Sequence, residues 1–213
     1  MSLFKYVGEN ASELQTQLLD QIFVAAVAVA LASVVGIAIG VGSRRWPLFR
    51  GPAMGFASIA ITLPSFALFS ALAIFMGIGE APVIVGLAVY ALLPVARNTM
   101  AGLQSVDPAV TDAARGMGMN SLQVLWNIEL PLATPLIIAG IRQAAVMTMA
   151  IATVGAAIGA NDLGQQIFAG IRDTSTNEML AGIIPVTLLG LLADRSLALV
   201  QLWLTRNQRS AHA

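Results

Sequence analysis

Few residues in this chain can do chemistry, and their spacing argues against catalysis. Among 213 residues there are 11 Lys and Arg, 11 Asp and Glu, one His and no Cys. The histidine is His212, next to last, so the chain offers no histidine cluster for a metal and no paired general base. Without cysteine there are no thiolate ligands, thiolate nucleophiles or disulfides. No Gly-x-x-x-x-Gly-Lys-Ser/Thr run is present to cradle a nucleotide phosphate. A net charge of zero provides no positive field for nucleic acid. No cofactor or metal is expected.

The richest group of small and charged residues is Asp112-Ala113-Ala114-Arg115-Gly116, with Gly118 just beyond. It lies in a polar stretch, 98–129, too long for an ordinary connection. Asp107 before Pro108 reads as a helix start, an N-cap acid followed by proline at the first position. The helix should run from Pro108 to about Arg115, with Gly116 and Gly118 supplying the left-handed stop. A second short helix should begin at Asn120 or Ser121, and Pro131 should close the loop. A short helix with a face of small residues suits close docking into a partner's groove. On residues alone, a docking element and an amphipathic surface loop are equally open readings.

Weaker candidates lie elsewhere. Pro64 and Ser65 interrupt an apolar run, and a broken helix can turn backbone groups toward a passage. Phe66, Phe69, Phe75 and Tyr90 could offer ring faces to a cation, against the plainer expectation of core or lipid packing. Thr148 and Thr153 could face a passage or bond back to their own helix. Asn161 and Asp162 are turn formers or contacts to a partner protein. Arg142 reads as a snorkelling residue at a helix start, and Trp46 and Trp203 as interface anchors.

The elements that must position these residues are set by gaps between charges. Composition is 57% hydrophobic and 10% charged, with mean hydropathy +0.81, where soluble domains carry about 25% charged residues. Residues 21–43, 51–79, 81–96, 143–161 and 179–193 hold no charge. About 20 apolar residues cross the hydrocarbon as a helix. The two shorter gaps can extend, one through Arg97 and the other through Asp194 and Arg195 into the run Leu197–Leu204. The long Ala, Leu, Val and Ile runs do not alternate as barrel strands would. Five transmembrane helices in a single domain, 1–213, are therefore expected, with residues 1–20 outside, 97–130 as an inside loop and 205–213 as an inside tail. Met1–Asp20 lacks the basic start of a signal peptide. Gly36/Gly40 and Gly155/Gly159 are spaced for close helix approach.

Orientation follows from basic residues. Arg44, Arg45, Arg50, Arg97, Arg115, Arg142, Arg206 and Arg209 fall on one side of a five-helix bundle, and Lys5 and Arg172 on the other. An excess of Lys and Arg marks the cytoplasmic side, so the N-terminus is expected outside and the C-terminus inside.

Against this frame, Asp112-Ala113-Ala114-Arg115-Gly116 followed by Ile128-Glu129-Leu130-Pro131 resembles the EAA loop of binding-protein-dependent ABC importer permeases, with Asp112 where that family commonly has Glu. Thr62–Leu68, Tyr90–Thr99, Gly102-Leu103, Val106-Asp107-Pro108, Ala114–Met119 and Gly140-Ile141-Arg142 resemble the glycine betaine/choline/carnitine, or osmoprotectant, subfamily. The likeness spans about 20–204. At 158–168 Asn161 and Asp162 replace a glycine pair common in that subfamily.

The resemblance implies an all-α type I importer permease fold and a transport subunit, not an enzyme. It implies docking of Asp112, Ala113, Ala114, Arg115, Gly116 and Gly118 into a separate cytoplasmic ATPase dimer. It also implies a second permease subunit, a substrate-binding protein delivering solute outside, and lipid around the bundle. A methionine- or amino-acid-type permease and an ATP-independent transporter are the competing readings.

Overall fold

The computed structural model describes residues 2–45 and 47–209; Trp46 and His212 lie outside them. Regular structure among the described residues is helical throughout. Helix α1 (Leu3–Glu9) leads into α2 (Ala11–Arg45), so most of the segment expected outside is helical and continuous with the first span. Then come α3 (Pro47–Ala60), α4 (Ser65–Met76) and α5 (Glu80–Gln104). Helix α6 (Pro108–Gly116) and α7 (Ser121–Val124) form a hairpin. A five-residue π-turn, Leu125–Glu129, joins α7 to α8 (Leu130–Ala152). A 3₁₀ segment (Thr153–Ile158), α9 (Gly164–Arg172) and α10 (Thr176–Arg209) complete the chain.

Helix α5 is the hub. Its Val83, Leu87, Ala91, Val95 and Ala96 are fully enclosed, because α2, α8, α3 and α4 all pack on it. The closest approaches use missing side chains. A Cβ on Gly36 would sit 2.9 Å from Val95 Cβ, and one on Gly40 2.5 Å from Thr99 Cγ2, so α2 lies directly on α5 as the Gly36/Gly40 spacing predicts. Gly140 of α8 makes the equivalent approach, 2.8 Å from the Pro94 carbonyl oxygen. Gly155 and Gly159 do not form such a pair. Gly155 packs on Val83 and Asp162, and Gly159 takes φ +88° in a turn.

Among the described residues four helical stretches are long and apolar enough to cross a membrane: Ala11–Arg44, Glu80–Gln104, Ser121–Ile158 and Thr176–Leu204. The run expected as a second span is bent by 103° between α3 and α4; the break covers 61–64 and ends at Pro64, while Ser65 already begins α4. The Tyr90 hydroxyl donates to the Leu63 carbonyl and holds the corner. Phe69 stacks edge-on against Tyr90 with ring centroids 6.5 Å apart.

The bent pair nevertheless traverses the bundle. Arg50 of α3 lines a cavity with Arg44 and Gln104 at one end. At the other, the Gly79 amide donates to the Ile158 carbonyl, 3.1 Å. These contacts define an Arg44 end and a Gly79 end, and with the bent pair taken as one pass the described residues run between them five times.

Several boundaries differ from expectation. Helix α5 runs beyond Arg97 to Gln104, because Met100 and Leu103 still have a buried face to fill. Pro131 does not close a loop. It sits in the first turn of α8, where its missing N–H costs little, and the helical path is continuous from Ser121. The non-helical pieces of the expected 97–130 loop are short, 105–107 and 117–120.

Candidate functional site

The hairpin at the Arg44 end is built by local bonds. The Asp107 carboxylate accepts from the Ala109 amide at 2.8 Å, and Pro108 occupies the first turn. Asn120 and Gln123 form a reciprocal capping box, at 2.8 and 2.9 Å, that starts α7. Between them Gly118 takes φ +86°, where a Cβ would be strained. Gly116 instead ends α6 in helical geometry, so the left-handed stop belongs to Gly118 alone.

Asp112, Ala113, Arg115, Gly116 and Gly118 are exposed. Ala114 is not; with Thr111 it forms the inner face of α6, which removes it from a contact surface and makes it the helix's anchor. Arg115 and Asp112 lie 3.6 Å apart as an exposed i,i+3 pair, worth little to stability. Nothing stands within 4 Å of a Cβ placed on Gly116. The outer face of α6 is therefore small, bare and flanked by one acid and one base, an arrangement suited to close contact by shape. It contains no nucleophile with a base.

At the Gly79 end the chemistry is buried. The side chains of Gln17, Gln21, Asp162 and Gln166 are enclosed. Gln21 accepts from the Leu163 amide (3.1 Å) and donates to the Met149 carbonyl (2.9 Å). Gln166 donates to Glu13 (3.0 Å) and Gln17 (3.1 Å), and the Tyr6 hydroxyl donates to Gln166 (2.6 Å). Burial first, then the carboxylates of Glu178, Glu13 and Asp173, raises the Tyr6 phenol.

Asn161 donates to Asp20. Asp162 accepts from the Gly164 amide at 2.7 Å. Burial pushes the Asp162 carboxyl up to about 7 against the opposing Gly164 and Ala156 amides, and Glu80 adds to the rise. At 2% exposure Asp162 cannot touch a partner protein. Asn161 is half-buried and spends its amide on α2.

The remaining candidates separate cleanly. Pro64 and Phe66 are exposed at the α3–α4 corner and Ser65 is half-exposed. Thr148 is fully enclosed and donates to the Ala145 carbonyl, so it faces no passage. Half-buried Thr153 donates to the Ala150 carbonyl. Trp203 is exposed on α10. Arg142 does not snorkel. It lies mid-α8 and donates to Asp194 of α10 at 2.7 and 3.1 Å and to Gln201 at 2.9 Å, where an ion pair avoids leaving a lone charge in lipid. Sequence reasoning missed the partner of Glu129: this buried carboxylate pairs with Arg44 at the end of α2. The only signal was a charged residue inside the otherwise apolar Ile128–Leu130.

Over residues 14–206 the sequence matches the family of binding-protein-dependent transport system inner membrane components. The chain belongs to that family. It is 36% identical over 204 residues to the carnitine transport permease protein OpuCB of Listeria monocytogenes, covering 96% of this chain and 94% of the relative. It is 35% identical to the osmoprotectant import permease protein OsmW of Salmonella typhimurium, covering 96% and 98%. Among solved structures it resembles a chain of the MetNI methionine ABC transporter in an inward-facing conformation, with TM-score 0.80, 18% identity and coverage of 92% of this chain and 98% of that one. An amino acid ABC transporter chain superimposes with TM-score 0.78 at 17% identity, covering 94% and 98%. Those two likenesses establish the type I importer permease fold. The chain is thus a multi-pass membrane permease subunit of an ABC importer, as the resemblance of its hairpin to the EAA loop implies.

Proposed function

We propose that this permease forms one half of the path for a quaternary ammonium osmoprotectant of the glycine betaine, choline or carnitine type. A second permease subunit supplies the other half, and a binding protein delivers solute to the Gly79 end. The Arg44 end faces the cytoplasm, with the N-terminus outside and the C-terminus inside. Arg44, Arg50, Arg97 and Arg115 gather at the Arg44 end, while Glu9, Glu13, Asp20, Glu80, Asp162, Asp173 and Glu178 gather at the other, a distribution that supports this orientation.

The bare outer face of α6 carries the reading. Asp112, Ala113, Arg115 and Gly116 enter a cleft on a separate ATPase subunit, with Gly118 setting the bend. ATP binding there closes two ATPase subunits, moves the hairpins and shifts the helix packing between two states. This chain supplies the path and the handle, and the partner hydrolyses ATP. The relatives named for carnitine and osmoprotectant import support the solute class.

The test is uptake of labelled betaine, choline and carnitine in a deletion strain complemented with the wild-type chain or Gly116→Trp. Wild type should restore uptake of at least one, and Gly116→Trp should abolish it together with copurification of the ATPase. Normal uptake by Gly116→Trp would contradict docking. Loss of a different solute's uptake on deletion would contradict the solute class.

A further inference from the structure

The proposed docking leaves open how a moving hairpin could carry the first span with it. The hairpin joins α8 through an irregular segment. The five residues before α8, Leu125–Glu129, wind as a π-turn, closed by the Leu130 amide on the Leu125 carbonyl, a wider turn that often marks a functional site. Pro131 and Pro135 follow in the next turns, and neither has an N–H to donate to the ladder. A push on α6 and α7 would be absorbed by flexing here unless something ties this segment to the bundle.

Glu129 sits at the end of the π-turn, with a side chain only 3% exposed, and is paired to Arg44. Arg44 ends the α2 span that packs along α5 through Gly36 and Gly40. Beside the pair is a cavity of about 870 Å³, with Val41 and Arg44 on one wall and Leu122, Leu125 and Glu129 on the other. The segment therefore has room to shift while the ion pair keeps it attached. The other charged residue lining that cavity, Arg115, already faces Asp112.

We propose that Arg44 and Glu129 are positioning residues that lock the first span to the hairpin, so that hairpin movement drives α2 instead of being lost in the π-turn. The proposal rests on the docking reading above. The Glu129 carboxylate is too buried to meet a partner, and its ion pair with the more exposed Arg44 lies within the chain.

The experiment uses the complete transporter, with permease, ATPase and binding protein reconstituted in vesicles. Three quantities are read: ATPase copurification, ATP hydrolysis, and solute imported per ATP hydrolysed. Glu129→Gln and Arg44→Gln should keep copurification at the wild-type level and lower import per ATP by about tenfold, the scale of residues that modulate coupling between sites. The double exchange Arg44→Glu with Glu129→Arg should recover most of the loss. An unchanged ratio in both single variants overturns the proposal alone, with docking intact. So does a double exchange no better than either single variant, or a loss of copurification in Glu129→Gln, which would make the pair a support of the hairpin. Failure of the wild-type chain to copurify with the ATPase overturns the docking reading and this proposal together.

Discussion

The two ends of the bundle are organised on different physical scales. At the Arg44 end the hairpin is held by bonds between neighbours: Asp107 to Ala109, Asn120 to Gln123 and back, Gly118 in its turn. Its outer face is exposed and its ion pair Arg115–Asp112 is solvated. At the Gly79 end the polar side chains are buried and joined across the chain, Gln21 to Leu163, Gln166 to Gln17, Tyr6 to Gln166. A locally built element can move as a unit without breaking the bundle. A buried network fails if any member is left unpaired. The contrast suits an end that is handled by a partner and an end that keeps the helices in register.

The largest expected effect comes from Asp162. Its carboxyl holds a proton more tightly in the fold, at about 7, than in the unfolded chain, at 3.8. The folded state therefore binds more protons between those values, and stability falls as pH rises through them. Between pH 5 and 8 the loss should be on the order of 3 kcal/mol. Thermal unfolding in detergent should show a lower Tm at pH 8 than at pH 5, and Asp162→Asn should flatten the dependence. An equally steep profile in that variant would remove Asp162 as its source.

Gln21→Leu should come next, costing about 2 kcal/mol because the buried Leu163 amide loses its acceptor. A denaturation midpoint within error of wild type would show that this end is not held by its network. The smallest effect belongs to the hairpin. Asp107→Ala removes one cap and should cost about 1 kcal/mol. The loss should appear as faster amide exchange confined to α6, with global Tm unchanged. A global loss of stability would erase the contrast between the ends.

How much was legible in the sequence follows the same division. Asp107-Pro108, Asn120 and Gly118 announce α6, its bend and α7, because caps and left-handed turns are encoded within a few residues. The apolar gaps announce the spans, and Gly36 and Gly40 announce a close helix contact. Long-range pairings were invisible. Asp194 and Arg195 stood out only as charges within the last apolar run; Arg142, the partner of Asp194, lies 52 residues away, and no local pattern joins Arg44 to Glu129. Asp162 read as a turn former or a contact to a partner protein, because nothing local shows that Gly155 and Gly164 let the chain fold tightly over it. Pro131 read as a loop end because proline breaks a helix interior, whereas here it sits in the first turn of α8 just after the π-turn.

In the proposed orientation the outer face of α6 lies in the cytoplasm under an ATPase. The absence of cysteine makes a single Ala113→Cys variant a clean reporter. A membrane-impermeant maleimide should leave it unlabelled in intact cells, label it in inverted vesicles stripped of the ATPase, and be blocked when the ATPase is restored. Labelling in intact cells would contradict the claim, and so would equal labelling of the inverted vesicles with and without the ATPase.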